Sequence, residues 1–172
     1  NLVNVFTLTY PLQFIWALLK SIFATGPNIS KEKDKDENAV LSGMTAGIIV
    51  GLIIFGLFAI NVKKYVEFMN MDFEIYKEFA VYSILQLYIQ LVFSFVLEKL
   101  YYEKENKIAN LISILFNIVN LLLVVILAII TKSQYITSII TLITMGILLL
   151  IILLLNIKKF KINISLLDNI KN

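Results

Sequence analysis

Residues 108–130 read IANLISILFNIVNLLLVVILAII, 23 consecutive residues without a charge. About 20 predominantly apolar residues coiled as a helix reach across the roughly 30 Å hydrocarbon core of a bilayer. Inside lipid every backbone N–H and C=O must find its partner within the protein, which leaves only helices and closed barrels as spanning structures. The stretch shows no strict in–out alternation, and it is far longer than the about 9 to 11 residues of a barrel strand. It predicts a transmembrane helix.

Runs of the same kind flank it. Tyr76 to Leu97, Ala39 to Val62 and Val5 to Pro27 precede it, and Tyr135 to Leu155 follows after the short polar link Thr131-Lys132-Ser133-Gln134. Pro11 stands near the start of the first run, where a helix tolerates proline best, and Gly26-Pro27 supplies its stop. The next eleven residues, NISKEKDKDEN at 28–38, are far too polar for hydrocarbon. Lys63, Lys64, Glu67, Asp72 and Glu74 separate the second and third runs; Glu98, Lys99 and the stretch from Glu103 to Lys107 close the third. The expected fold class is all-α: a polytopic membrane protein of about five transmembrane helices over 1–155, with a tail or linker over 156–172.

Composition agrees. Apolar residues make up 59% of the 172 residues and mean hydropathy is +0.87, above the 45 to 50% apolar usage of soluble domains. The net charge of +3 comes from fifteen lysines against twelve carboxylates, scattered between the apolar runs, so there is no basic stripe for a nucleic acid. Cys and His are both absent. That removes thiolate and imidazole metal sites, haem ligation, Ser-His-Asp triads and disulfides, so neither a metal, a cofactor nor an enzyme activity is expected. The first residue is Asn1, not Met, and no charged segment precedes the first run. A piece of a longer chain is expected, not a secretory signal peptide.

Orientation follows from lysines on alternate connections. Lys31, Lys33, Lys35, Lys99, Lys104, Lys107, Lys158, Lys159 and Lys161 fall on one side; Lys63, Lys64, Lys77 and Lys132 fall on the other. The first side, with loops 28–38 and 98–107 and the C-terminal tail, is expected in the cytoplasm of a multi-pass plasma-membrane protein. The Asn28-Ile29-Ser30 match to a glycosylation acceptor is then accidental.

Polar side chains at depth carry more information than the apolar ones around them. At 100° per residue, Thr9, Gln13, Trp16 and Lys20 share an arc of about 60° on the first run. On the third, Ser83, Gln86, Gln90 and Ser94 lie within about 80°, with Tyr82 beside them. The fourth carries Asn110, Ser113, Asn117 and Asn120 in a similar arc, and the fifth carries Thr137, Thr141 and Thr144. Such groups either pair across helices or line a hydrated cavity; four stripes on five helices favour the cavity. The expected cavity residues are Gln13, Lys20, Tyr82, Gln86, Gln90, Asn117, Asn120 and Thr141. Lys20 is the one charge well inside a run, at a cost of about 2.5 to 3.5 kcal/mol even on lenient insertion scales. It either snorkels to the interface or faces the cavity, and the face it shares with Gln13 favours the cavity. Gly43, Gly47 and Gly51 repeat every fourth residue and predict a helix packed tightly on one neighbour.

The order of these signals resembles a known family. A helix entered through proline ends in Ala24-Thr25-Gly26-Pro27-Asn28-Ile29-Ser30-Lys31. A charged turn leads to a small-residue helix, then to one opened by Glu74-Ile75-Tyr76. A helix with Asn117 and Asn120 follows, and the last ends in Lys158-Lys159-Phe160-Lys161. This resembles helices two to six of one six-helix lobe of the multidrug and toxic compound extrusion (MATE) transporters, within the wider superfamily of multidrug, oligosaccharide-lipid and polysaccharide exporters. The resemblance implies export of amphipathic or cationic small molecules by alternating access, driven by a proton or sodium gradient. It also implies a second lobe of the same polypeptide, or a second copy, as partner, besides membrane lipids. Two alternatives stay open: a lipid-linked oligosaccharide flippase, for which Lys20 would meet phosphate, and a non-transporting membrane scaffold built on the glycine face.

Overall fold

A computed structural model of the chain describes residues 2–23, 37–102, 106–131 and 136–155, and these are almost entirely helical, with no strand among them. The helices are α1 (Leu2–Phe23), α2 (Glu37–Ile60), α3 (Val62–Phe68), α4 (Phe73–Tyr102), α5 (Asn106–Thr131) and α6 (Ile136–Leu155). The Gly26-Pro27 stop, most of the charged 28–38 turn, most of the 131–134 link and the 156–172 tail lie outside the described residues. Three stretches are long and apolar enough to cross a membrane: Val40–Ile60, Phe73–Tyr101 and Asn110–Thr131. On the first and third of these, few apolar side chains are buried, whereas on the second many are. On α5, Leu111, Ile114, Leu115, Ile118, Leu121, Leu122, Ile126 and Ile129 are all exposed, an apolar surface of the kind that lipid covers. The chain is a membrane-embedded helical protein.

The centre is α4, which packs against every other helix. On one flank it completes a core with α1, α2 and α3 around Leu8, Leu12, Phe55, Val66, Ile84, Leu87, Leu91 and Phe95. On the other, Phe93, Val96 and Leu100 meet Phe116 of α5 and Met145 and Leu149 of α6. The register of α4 explains this double duty. Ile84, Leu87, Leu91 and Phe95 share an arc of about 80°, and Phe93, Val96 and Leu100 occupy a separate arc of about 60°. The polar Ser83, Gln86, Gln90 and Ser94 fall in the sector between the two.

Several bounds differ from the apolar runs for physical reasons. Glu98 and Lys99 do not end α4, which continues to Tyr102, because Glu and Lys are good helix formers. Lys99 is just 2% exposed. The helix containing Pro11 begins at Leu2, so the proline sits in its interior and removes one backbone hydrogen bond there. The charged connector after α2 is itself helical. Asn61 bends the chain without breaking the ladder, since Asn61 N–H donates to the Leu57 carbonyl at 3.1 Å and Tyr65 N–H to the Asn61 carbonyl at 3.0 Å.

A compact reversal joins α3 to α4. Asn70 adopts φ 56°, the left-handed conformation that asparagine tolerates best after glycine. Its N–H donates to the Glu67 carbonyl at 2.9 Å and the Met71 N–H to the Val66 carbonyl at 3.2 Å, a Schellman closure. Two residues on, the Asp72 carboxylate accepts from the Glu74 N–H at 2.9 Å and caps α4.

The same end of the bundle is fastened to α1. The buried Tyr65 hydroxyl donates to the Leu8 carbonyl, and Asn4 Nδ2 donates to the Tyr76 hydroxyl at 2.7 Å. Tyr65→Phe is expected to cost about 1 kcal/mol of stability, the typical net value of such a bond. Burial pushes the Tyr65 phenol up to about 12 from its ordinary value near 10. A folded pKa raised above the unfolded one gives stability that is whole below pH 10 and is lost as pH rises to 12. Unfolding measured at stepped alkaline pH should show this loss in the native chain and lack that increment in Tyr65→Phe.

Candidate functional site: a polar cleft beside the central helix

Because α1 and α5 both lean on α4 but on different flanks, a cleft opens between them, closed behind by α6. It encloses about 220 Å³. From α1 it is lined by Trp16 and Lys20, from α4 by Gln90, Phe93, Ser94 and Leu97, from α5 by Ser113, Phe116 and Asn117, and from α6 by Met145. Three of the four polar stripes therefore meet here. The cleft occupies one half of the bundle: Lys20 lies in the last turn of α1, Gln90 about 18 Å along α4 from its Tyr102 end, and Asn117 about 16 Å along α5 from its Asn106 end.

The polar atoms in the cleft are mostly uncommitted. Ser94 Oγ donates to its own helix at the Leu91 carbonyl, 2.7 Å away. The side chains of Gln90, Ser113 and Asn117 make no hydrogen bond among the described residues, and the buried Trp16 Nε1 has no acceptor there. Lys20 Nζ stands over the Trp16 ring, 5.4 Å from its centroid, a cation–π contact that offsets part of the cost of holding an ammonium at this depth. Beyond the cleft lining, one turn past Ser94 on α4, the half-buried Glu98 is within electrostatic reach of Lys20. Apolar floor, free amides and hydroxyls, an indole N–H and one ammonium together suit a ligand with an apolar body and a polar, hydrogen-bond-accepting or anionic end.

Of the residues expected to line a cavity, Lys20, Gln90 and Asn117 come together in this cleft. Gln86 is half-buried one turn above Gln90 along the same seam. Gln13 is exposed on α1, about 10 Å of helix from Lys20. Tyr82 lines a separate recess with Val62, Phe73, Lys77, Glu78 and Val81. Asn120 is half-buried, with its Oδ1 lacking a partner among the described residues, and Thr141 of α6 is buried. Ser83, higher on the seam, is 2% exposed and its hydroxyl is likewise without a partner. Sequence reasoning passed over Glu98, which it took as a boundary. Extending the Gln90–Ser94 stripe by one turn reaches it.

The glycine face of α2 lies against α4. A Cβ on Gly47 would stand 2.6 Å from Phe95 Cζ and 2.9 Å from Phe23 Cβ; one on Gly51 would stand 2.5 Å from Leu91 Cδ2. Gly43 is half-exposed. No protein-family model, curated protein or solved structure matches the chain.

Proposed function

We propose that this chain is most of one lobe of a secondary active exporter, and that the cleft forms part of the wall its substrate meets. The observation that carries the reading is the convergence of the α1, α4 and α5 polar stripes on one cleft. Helices that only anchor have no use for such a seam, since polar groups in a membrane interior are costly unless partnered or hydrated. In this reading all five long helices cross the plasma membrane, and the connections at 28–38 and 98–107 and the tail are cytoplasmic. The cleft then opens in the cytoplasmic half of the bundle, where an exporter loads. A single lobe cannot rock against itself, so a second lobe or second copy completes the device.

Two substrate classes fit, an amphipathic organic cation and a lipid-linked sugar bearing phosphate. Lys20 favours the second, because it is the charged residue on the cleft wall and phosphate is the natural partner of an ammonium surrounded by free donors. The scaffold alternative drew on the glycine face, and α4 occupies that face at Gly47 and Gly51.

Cysteine accessibility tests the cleft directly, since the native chain has no Cys. Single cysteines at Gln90, Ser94 and Asn117 are expected to react with a membrane-impermeant thiol reagent at least about tenfold faster than cysteines at the lipid-facing Leu122 and Ile126. An added amphiphilic substrate should protect the first set. Equal, slow reaction at all five positions would remove the hydrated cleft and the exporter reading with it.

A further inference from the structure

The lipid-facing side of α2 does not stop at its bend. Counting 100° per residue through Asn61, Ile53, Leu57, Ile60, Lys64 and Phe68 share an arc of about 80°, so one apolar lane runs off α2 onto α3. Ile60 and Phe68 are 82% and 80% exposed. Along the lane lies a shallow groove of about 360 Å³ between Leu57, Phe58, Asn61, Lys64, Tyr65 and Phe68, apolar over nearly all its surface. Its wall is firm: Phe58 and Tyr65 meet edge to face at 5.2 Å, and the Tyr65 hydroxyl is tied to the Leu8 carbonyl.

The charges at this end are unevenly committed. Lys63 faces Glu67 at 3.9 Å and the Phe73 ring at 6.0 Å, and Lys77 is bonded to Glu74. Lys64, whose stem lines the groove, has no carboxylate or hydrogen-bond acceptor among the described residues. An apolar track continuous with the lipid-facing surface thus ends at the headgroup level in an unpaired ammonium.

We propose that this groove is a binding site for an anionic phospholipid, with an acyl chain along Ile53 and Leu57 and the headgroup phosphate at Lys64. Continuity of the lane with the membrane-facing side of α2 places a lipid there. The lone positive charge at its end selects an anionic headgroup over a zwitterionic one, whose outer choline it repels. The site is separate from the polar cleft and does not rest on the exporter reading.

Brominated lipids provide the test. Leu57→Cys carrying a bimane label, in nanodiscs of phosphatidylcholine, is challenged with a minor fraction of brominated phosphatidylglycerol or of brominated phosphatidylcholine. The expected result is stronger quenching by the glycerol lipid, corresponding to about fivefold enrichment at the label for one lysine near the surface. Lys64→Gln should bring the two lipids to parity, and Lys63→Gln should leave the preference in place. Lys64 is exposed, so its replacement leaves the fold intact. Equal quenching by the two lipids in the native background, or a preference that survives Lys64→Gln, would overturn the proposal. Absence of quenching by either lipid would overturn it as well, and would assign the groove to a second copy of the chain.

Discussion

Gly47→Leu is expected to drive α2 off α4 and leave little monodisperse protein in detergent. Even one methyl group at this position would sit 2.6 Å from the Phe95 ring and 2.9 Å from Phe23 Cβ, and the latter atom is fixed to the α1 backbone and cannot swing away. Overpacking in a fitted interface costs about 1 to 3 kcal/mol and more when backbones must separate. Leucine adds three further carbons to that clash. Gly47, Gly51 and Gly56 of α2 should respond in order. Gly47→Ala lowers thermal stability most. Gly51→Ala lowers it less, because Leu91 Cδ2 at 2.5 Å is the free end of a flexible side chain. Gly56→Ala meets nothing within 4 Å and is expected to be neutral or to stabilise by up to about 1 kcal/mol through helix propensity. Melting temperatures of the three alanine variants, measured side by side, check the order. Equal losses at all three would mean that α2 is not seated on α4 as described.

Lys20→Ala is expected to reduce transport of a phosphate-bearing amphiphile by about tenfold to a hundredfold. The basis is a charge-assisted hydrogen bond, worth about 1.5 to 3 kcal/mol, where each 1.4 kcal/mol is a factor of ten. Lys20→Arg should retain much of the activity, since the charge and the stacking on Trp16 persist. The measurement is uptake into proteoliposomes by the complete transporter. If instead organic cations are carried and Lys20→Ala leaves that transport unchanged, the phosphate reading falls and the drug-export reading stands. Glu98 supplies an internal control. Should Lys20 serve only to balance that carboxylate, Glu98→Gln combined with Lys20→Ala will restore what Lys20→Ala lost.

The sequence showed the helices far better than it showed their neighbours. Runs such as 108–130 are unmistakable because hydrocarbon tolerates so few alternatives, and the angular stripes of Gln90, Ser94, Ser113 and Asn117 follow from helix geometry alone. Which stripe faces which does not follow. That choice depends on α4 being shared by two cores, and the determinants of sharing are Phe93, Val96 and Leu100 on one arc and Leu87, Leu91 and Phe95 on another. In a sequence dominated by interchangeable Ile, Leu, Val and Phe, nothing marks one arc as belonging to a particular partner. Gln13 illustrates the point, lying on the same arc as Lys20 yet beyond the cleft that Lys20 lines. The helical α3 was hidden for another reason. Its Lys and Glu residues look like a loop in a hydropathy profile, although they favour helix, and the signals that bound it, Asn70 in the left-handed conformation and Asp72 as a cap, are single residues.

The two cores also differ in when they can exist. Every residue of the first, from Leu8 to Phe95, has been synthesised once α4 is complete, so α1 to α4 can settle together while the rest of the chain is still on the ribosome. The second core has no such independence, for half of its buried residues belong to α4. The α5–α6 hairpin must arrive at a surface already in place and dock there. The polar cleft, which needs α1 on one wall and α5 on the other, takes shape only with that docking.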